Sequence, residues 1–417
     1  MDVEYSTSAQ KPYAIIDDAG PEHGQYINSF CITRKGTWLI SITIGHSRWG
    51  TTYTRRSTDR GKTWEDRVYV VEPGKLEPGR TIEMGQLLPL EDRIYQFHIQ
   101  HTHPDTRFGE IKYTVSYDDG KSWQGPTGPG SLYHSTTPVY ELSPNSDGWH
   151  LMAPGVTIVP PRSPDGRAAS GGGSACQEAG DAGDQEWLLP MNISTDPLPL
   201  SEIRSELVFG ISKNVFTAKD PAEVSFEFFP KPPHGVRVPL ESVPGASLGQ
   251  EPQVVQLSDG RLFAVCRTGN GCIYYTVSDD LGRTWREPQP LRYKEGGQKM
   301  LNPNCPCPLA RLSGGRYAQL FCNNDGTAFG GADPFDHTKN RQPVYVSIGR
   351  ETGSRTGQPL EFSEPRLLCT IEGFHPEQHW RDLTYGFFLE DQGEYYHFYN
   401  AVWRFVQVNR VDPKLLE

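Results

Sequence analysis

Histidine, arginine and carboxylate side chains gather in a few short segments of this 417-residue chain. They are the types that move protons and hold anions. Gly45-His46-Ser47-Arg48-Trp49 sets a proton-transfer group beside a guanidinium and an indole, and His98, His101, His103 and His134 follow. Arg267 stands at the end of an apolar stretch, and Glu83, Glu251, Asn302, Asn304, Arg381 and Asp382 complete the set. Histidine suits acid or base work because small shifts bring its pKa to working pH. A guanidinium grips a carboxylate through a bidentate fork. With amide donors from Asn302 and Asn304, these groups meet the needs of elimination beside a carboxylate. The charge must be neutralised, a neighbouring carbon deprotonated, and the leaving oxygen protonated. Hydrolysis instead needs two suitably spaced carboxyl groups, for which Glu251 and Asp382 are available, with Glu83 a further option. Each residue alone also has a plain structural reading. A single His can be structural, Arg267 can pair with Glu251, and Asn323-Asn324-Asp325-Gly326 can be turn chemistry. His101-Thr102-His103 alternates like a metal pair, but no partner ligands accompany it, so no catalytic metal is expected.

What positions these groups is a repeat. Ser57-Thr58-Asp59-Arg60-Gly61-Lys62-Thr63-Trp64 returns as Ser116-Tyr117-Asp118-Asp119-Gly120-Lys121-Ser122-Trp123. It returns again as Ser278-Asp279-Asp280-Leu281-Gly282-Arg283-Thr284-Trp285. The shared S-x-D-x-G-x-[ST]-W describes a strand connection. Asp accepts bonds from its own turn, Gly takes a positive φ, and Trp packs between neighbouring sheets. Such residues staple a fold and seldom catalyse. Composition agrees, since 43 Gly, 35 Pro and 11% aromatics suit many short strands joined by turns. No apolar run is long enough to span a bilayer. A net charge of -11 argues against nucleic-acid binding, which needs a basic surface.

This pattern resembles the Asp box of sialidase-like β-propellers, over nearly the whole chain. It implies an all-β protein and a single propeller domain over residues 1–417. The first two repeats start 59 residues apart and the third 162 further on. Three intervals of 54 favour seven four-stranded blades, with two of them between residues 131 and 250. Six blades result if one carries a long insertion, because residues 160–184 are rich in Gly, Ser, Pro and Ala and read as a flexible loop. A strand at residues 13–17 is expected to close the ring. In such a ring the loops entering first strands and leaving second strands meet on the face opposite the Asp boxes. Those loops carry the residues named above, so a concave polar site is expected there.

Four segments narrow the resemblance: Gly45-His46-Ser47-Arg48-Trp49-Gly50, Leu301-Asn302-Pro303-Asn304-Cys305-Pro306, Asn323-Asn324-Asp325-Gly326 and Trp380-Arg381-Asp382-Leu383. They are similar to propeller enzymes that remove terminal L-rhamnose from α-1,4-linked glucuronic acid on arabinogalactan and gum arabic, a group related to propeller ulvan lyases. The resemblance implies a polysaccharide lyase that leaves an unsaturated uronate by β-elimination. His46 matches the group's essential His. A second proton-transfer group is expected among His98, His101 and His103, with His101 taken for the role, and Arg267 is the expected carboxylate clamp. Substrate binding then falls to Arg48, Trp49, His98, His103, His134, Glu251, Asn302, Asn304, Arg381 and Asp382. Exo-sialidases need an Arg triad, a Tyr/Glu nucleophile pair and an early Arg-Ile-Pro segment. The corresponding region here reads Tyr26-Ile27-Asn28-Ser29-Phe30, so sialic-acid hydrolysis is not expected. A glycoside hydrolase acting on an acidic glycan, and a non-catalytic glycan-binding propeller, are the alternatives.

The remaining features set expectations about context. Eight cysteines allow disulfides, and Cys266 and Cys272 can face each other across a hairpin. Asn192-Ile193-Ser194 is a glycosylation sequon. Met1-Asp2-Val3-Glu4-Tyr5 lacks the pattern of a signal peptide, and a secreted form with its leader removed is expected. The partner expected is an acidic oligosaccharide or polysaccharide, met by a monomer, with no nucleic acid or membrane. No cofactor is required, and structural calcium is left open.

Overall fold

The computed structural model describes residues 13–20, 24–45, 50–72, 75, 80–102, 110–135, 140, 149–151, 153–160, 185–194, 205–336, 339–370 and 382–417. Their strands form six antiparallel sheets, the blades of a β-propeller. Blade 1 is Gln25–Ile32, Trp38–Ile44, Thr51–Ser57 and Val68–Tyr69, and blade 2 is Arg80–Pro89, Ile94–Thr102, Glu110–Ser116 and Tyr133–His134. Blade 3 is built on Glu186–Ser194 and Ser205–Ser212. Short strands at Trp149–His150, Val156–Ile158, Glu227–Phe229 and Val236–Arg237 flank them. Blade 4 runs Gln250–Gln256, Leu262–Arg267, Tyr274–Ser278 and Gln289–Pro290. Blade 5 holds Leu309–Leu312, Arg316–Phe321, Val344–Glu351, Leu360–Phe362 and Arg366–Cys369. Blade 6 combines Gly386–Asp391, Glu394–Ala401 and Phe405–Val411 with Ala14–Asp18 from the other end of the chain.

Six blades replace the favoured seven. The 162-residue interval holds one blade, not two, as in the reading that gave one blade a long insertion. Part of its surplus length is the irregular stretch 213–226, where Asp220 caps a single 3₁₀ turn at Pro221–Glu223, while residues 161–184 of the expected loop lie outside the described residues. The closing strand is where the sequence put it, with Ala14 opposite Val408. Arg404 fastens that seam, meeting Asp18 at 2.7 Å.

Strand periodicity explains how the ring packs. Along Trp38–Ile44, Trp38, Ile40 and Ile42 project into the layer shared with Tyr396 and Phe398 of blade 6. Leu39 projects the other way, into a layer with Val70, Ile82 and Trp123. The repeat turns then staple blade to blade. Asp59 accepts from the Thr63 amide at 2.9 Å and the Thr63 hydroxyl at 2.7 Å, and that hydroxyl bond is the main reason its carboxyl titrates down at about 2. Gly61 sits at φ 80°, where a Cβ would lie 2.7 Å from the Trp38 ring. Next to each turn's Asp or Gly stands a charge that reaches the preceding blade: Arg60 to Asp391 at 2.9 Å, Asp119 to Arg56 at 3.1 Å, and Arg283 to Glu186 at 2.6 Å.

First strands supply the site end of the channel. In blades 1, 2 and 4 the pairing of first and second strands slips near its upstream end, between Ile27 and Ser29, Glu83 and Gln86, and Gln250 and Gln253. Such bulges re-aim a side chain out of the ladder. In blades 1 and 4 the displaced stretches contain Asn28 and Glu251.

Candidate active site

Arg267 ends the second strand of blade 4, opposite Gln250, and its guanidinium reaches back over the bulge. Its Nη1 donates to Glu251 Oε1 at 2.7 Å and to the Tyr385 hydroxyl at 3.3 Å, while its Nε donates to Asn304 Oδ1. Tyr385, just ahead of the first strand of blade 6, donates its hydroxyl to Glu251 Oε1 at 3.4 Å. Three blades therefore converge on one buried carboxylate. Burial first, and the Glu251 charge second, push the Tyr385 hydroxyl up to about 12, so it keeps its proton at neutral pH.

Glu251 bears two marks of a working position. Its φ is +52°, a left-handed conformation that costs a non-glycine residue roughly 1–3 kcal/mol and clusters at functional sites. Its Oε2 is buried with no hydrogen-bond partner among the described residues. Asn192 Oδ1 accepts from the Glu251 amide at 2.9 Å and pins the backbone. That bond also settles the sequon: Asn192 lies inside a strand with 1% of its surface exposed, out of reach of a glycosylating enzyme in the folded protein.

A second buried pair lies behind the first. Arg341 Nη1 meets Asp382 Oδ2 at 2.8 Å, and Arg341 Nη2 donates to the Asn304 carbonyl at 3.0 Å. Asp382 Oδ1 accepts from the Thr384 amide at 2.8 Å and its hydroxyl at 2.7 Å. Asn302 is spent on the chain itself, donating to the Cys305 carbonyl at 3.0 Å and accepting from the Cys322 amide at 2.9 Å. It shapes the loop that presents Asn304. An aromatic wall closes one side, with the Tyr385 ring 5.3 Å from Trp403 and 6.1 Å from Tyr26. Val402 and Trp403 both have positive φ, 48° and 59°, in the turn after the second strand of blade 6.

The residues expected from sequence divide accordingly. Arg267, Glu251 and Asn304 come together, and Asp382 stands one contact behind them. His98 does not join an open face: it is fully buried in the second strand of blade 2, with neither ring nitrogen bonded among the described residues. Burial alone lowers its pKa to about 3 and holds it neutral. His134 is exposed on the fourth, outermost strand of blade 2, because the blade carries it to the rim and not to an entering loop. His46, Arg48, Trp49, His103 and Arg381 lie outside the described residues, as do the side chains of Glu83 and His101. Asn324 is turn chemistry, accepting from Gly326 N at 2.9 Å. Cys266 and Cys272 are both free and buried, so they form no disulfide here. Cys305 and Cys322 approach to 3.6 Å between sulfurs. Sequence reasoning missed Tyr385 and Arg341. Tyr385 sits one residue ahead of the strand Gly386–Asp391, where nothing local marks it as a site residue.

No protein-family model matches the chain, and no curated protein does. Solved structures do. An intramolecular trans-sialidase from Ruminococcus gnavus superposes with a TM-score of 0.60 at 14% identity, over 98% of this chain and 99% of that one. A Hadza microbial sialidase gives 0.58 at 14% identity, over 97% and 69%. A protein of unknown function from Dyadobacter fermentans gives 0.54 at 14% identity, over 94% and 95%. The fold is that of sialidase-like propellers. Identities this low speak for the fold alone.

Proposed function

We propose that this protein is a carbohydrate-active enzyme that hydrolyses the glycosidic bond of an acidic sugar. The observation that carries the reading is the Tyr385–Glu251 pair bridged by Arg267. It supplies a nucleophile with a base in contact, and a cation for the substrate's carboxylate. A phenol suits this task better than a carboxylate nucleophile, because a neutral group is not repelled by an anionic sugar. Its raised pKa makes Glu251 necessary: the phenol oxygen attacks the anomeric carbon as its proton passes to Glu251. The leaving oxygen takes a proton from a general acid, for which the sequence offers His46 and His101. Water then attacks the anomeric carbon and gives its proton to the group that had acted as the acid, while Glu251 returns its proton to the departing Tyr385 oxygen, with net retention of configuration.

The Tyr/Glu pair and the guanidinium groups of Arg267 and Arg341 meet part of what the sialidase resemblance requires, with two arginines where it calls for three. The Arg-Ile-Pro segment is not present, and Tyr26 stands in that region, its ring 6.1 Å from Tyr385. The substrate we favour is therefore a uronate and not sialic acid. Elimination is the second reading, favoured by the Tyr385–Arg267 contact at 3.3 Å together with the resemblance to rhamnosyl-glucuronate and ulvan lyases.

The test incubates the protein with gum arabic and with aryl glucuronides while following released sugar and ultraviolet absorbance together. Released sugar without absorbance supports hydrolysis. Released rhamnose with rising absorbance marks a conjugated unsaturated uronate and replaces hydrolysis by elimination. No release from either substrate, with release from sialyl-lactose, overturns the uronate assignment.

A further inference from the structure

The six first strands that present their upstream ends to the Glu251 cluster enclose a separate space at their downstream ends. There, on the side of the repeat turns, lies a cavity of about 370 Å³. The register places it: Glu251 opens its strand while Val255 and Gln256 close it, and Tyr26 stands near the start of Gln25–Ile32 while Phe30 and Cys31 near its end line the cavity. All six blades contribute, and the walls are largely apolar, among them Phe30, Leu88, Trp187, Val255, Leu309 and Phe387. This volume lies within the range of small-molecule sites, and its walls are mostly of the hydrophobic and aromatic kind that line them.

Three charged residues border the cavity: Arg34 and Glu91, which face each other, and Arg311. Arg311, in the first strand of blade 5, borders the cavity, and its Nε is buried with no hydrogen-bond acceptor among the described residues. The carboxylate of Glu351 makes its hydrogen bonds elsewhere. Glu351 accepts from Tyr317, the register partner of Arg311, at 2.6 Å, and from the Ser258 amide at 2.9 Å. At the mouth, Arg34 and Glu91 already face each other at 3.4 Å, so they add no net charge. A buried donor left without an acceptor calls for a partner. An apolar chamber with one uncompensated guanidinium fits a molecule with an apolar body and a single acidic head.

We infer that this chamber is a binding site for an amphipathic monoanion, an aliphatic or aromatic carboxylate, separate from the site at the opposite end of the channel. Arg311 takes the acid group and the aromatic and aliphatic walls take the body. The inference does not depend on the catalytic reading above.

The test uses the full chain and two probes, octanoate and its uncharged counterpart octanol, each competing against the fluorescence of anilinonaphthalene sulfonate. The expected result is saturable dye binding to the folded protein, displaced by both probes. Arg311→Met should weaken octanoate by about tenfold or more while leaving octanol within about twofold. Val255→Trp, which fills the chamber and keeps the charge, should abolish displacement by both, and Glu251→Gln should change neither. Absence of saturable dye binding overturns the site. Equal loss of octanoate and octanol in Arg311→Met, or no loss of either, overturns Arg311 as the acid's partner. Loss of both in Glu251→Gln places binding at the other end and overturns the separation.

Discussion

Two arginine–carboxylate pairs lie buried within one contact of each other, and they are built differently. Arg341–Asp382 is closed: at 2.8 Å, with side chains 3% and 0% exposed, both Asp382 oxygens are taken by Arg341 and Thr384. Arg267–Glu251 is open: at 2.7 Å, with side chains 9% and 5% exposed, one carboxylate oxygen has no partner among the described residues and the backbone of Glu251 is left-handed. Breaking a buried pair costs a great deal, whereas completing one adds little net stability. A pair whose carboxylate oxygens are both taken therefore acts as a strut. A pair with spare capacity and local strain is held ready for something not yet bound. The molecule uses the strut to hold Asn304, and Asn304 to aim Arg267.

The contrast breaks most sharply in turnover. Tyr385→Phe should lose about 10⁴-fold in kcat while folding normally, and Glu251→Gln about 10²–10⁴-fold. The double variant should be little worse than Tyr385→Phe alone, because groups that act as a unit lose their effect together. Multiplicative losses in steady-state kinetics would show that the two side chains do not share a step.

The strut should fail in stability. Asp382→Asn leaves the Arg341 charge buried and unpaired, so a loss of about 3–5 kcal/mol is expected in denaturant unfolding. If Asp382→Asn instead kept its stability and lost turnover, the roles of the two pairs would be exchanged. Asp382 would then be the hydrolytic carboxylate that the sequence alone offered.

How far the sequence reached follows from the same contrast. The repeat turns were legible because their physics is local: Ser, Asp, Gly and Thr bond within eight residues, and the spacing records it. The closing strand was legible from ring closure. Blade number was not, because interval arithmetic cannot tell a second blade from irregular chain between 131 and 250. At the site, Arg267 and Glu251 were visible as types, yet their pairing was read as the bland alternative. Its catalytic sense appears only with Tyr385, which lies 134 residues from Glu251. Burial is equally silent in sequence. His98 stands between Phe97 and Ile99, and nothing in that text says that its own ring is buried inside the blade as well.

That burial makes a pH prediction away from the site. His98 and His397 are both fully buried, and desolvation lowers each to about 3. Unfolded histidine titrates near 6.5, so in this window the unfolded chain binds the protons that the folded chain refuses. Stability is then complete above about pH 6.5 and falls as pH drops towards 3. Two such groups give a slope of up to about 2.7 kcal/mol per pH unit. Urea midpoints between pH 6 and 4.5, before most carboxylates titrate, measure it. A flat stability there would mean that both rings find partners on protonation.

The smallest expected effect tests what holds Glu251 in its strained shape. Asn192→Ala removes the acceptor for the Glu251 amide and leaves a buried donor unpaired, a loss of about 1–3 kcal/mol. With nothing to hold the left-handed backbone, Glu251 should relax and its carboxylate should leave Tyr385, so kcat should fall by more than the stability loss accounts for. Asn192→Asp separates the two effects. It keeps an acceptor at the same atom, so the backbone should stay in place and kcat should stay well above that of Asn192→Ala. If Asn192→Asp lowered kcat as much as Asn192→Ala, the bond to the Glu251 amide would not be what holds the carboxylate in place, and the open pair would owe its readiness to Arg267.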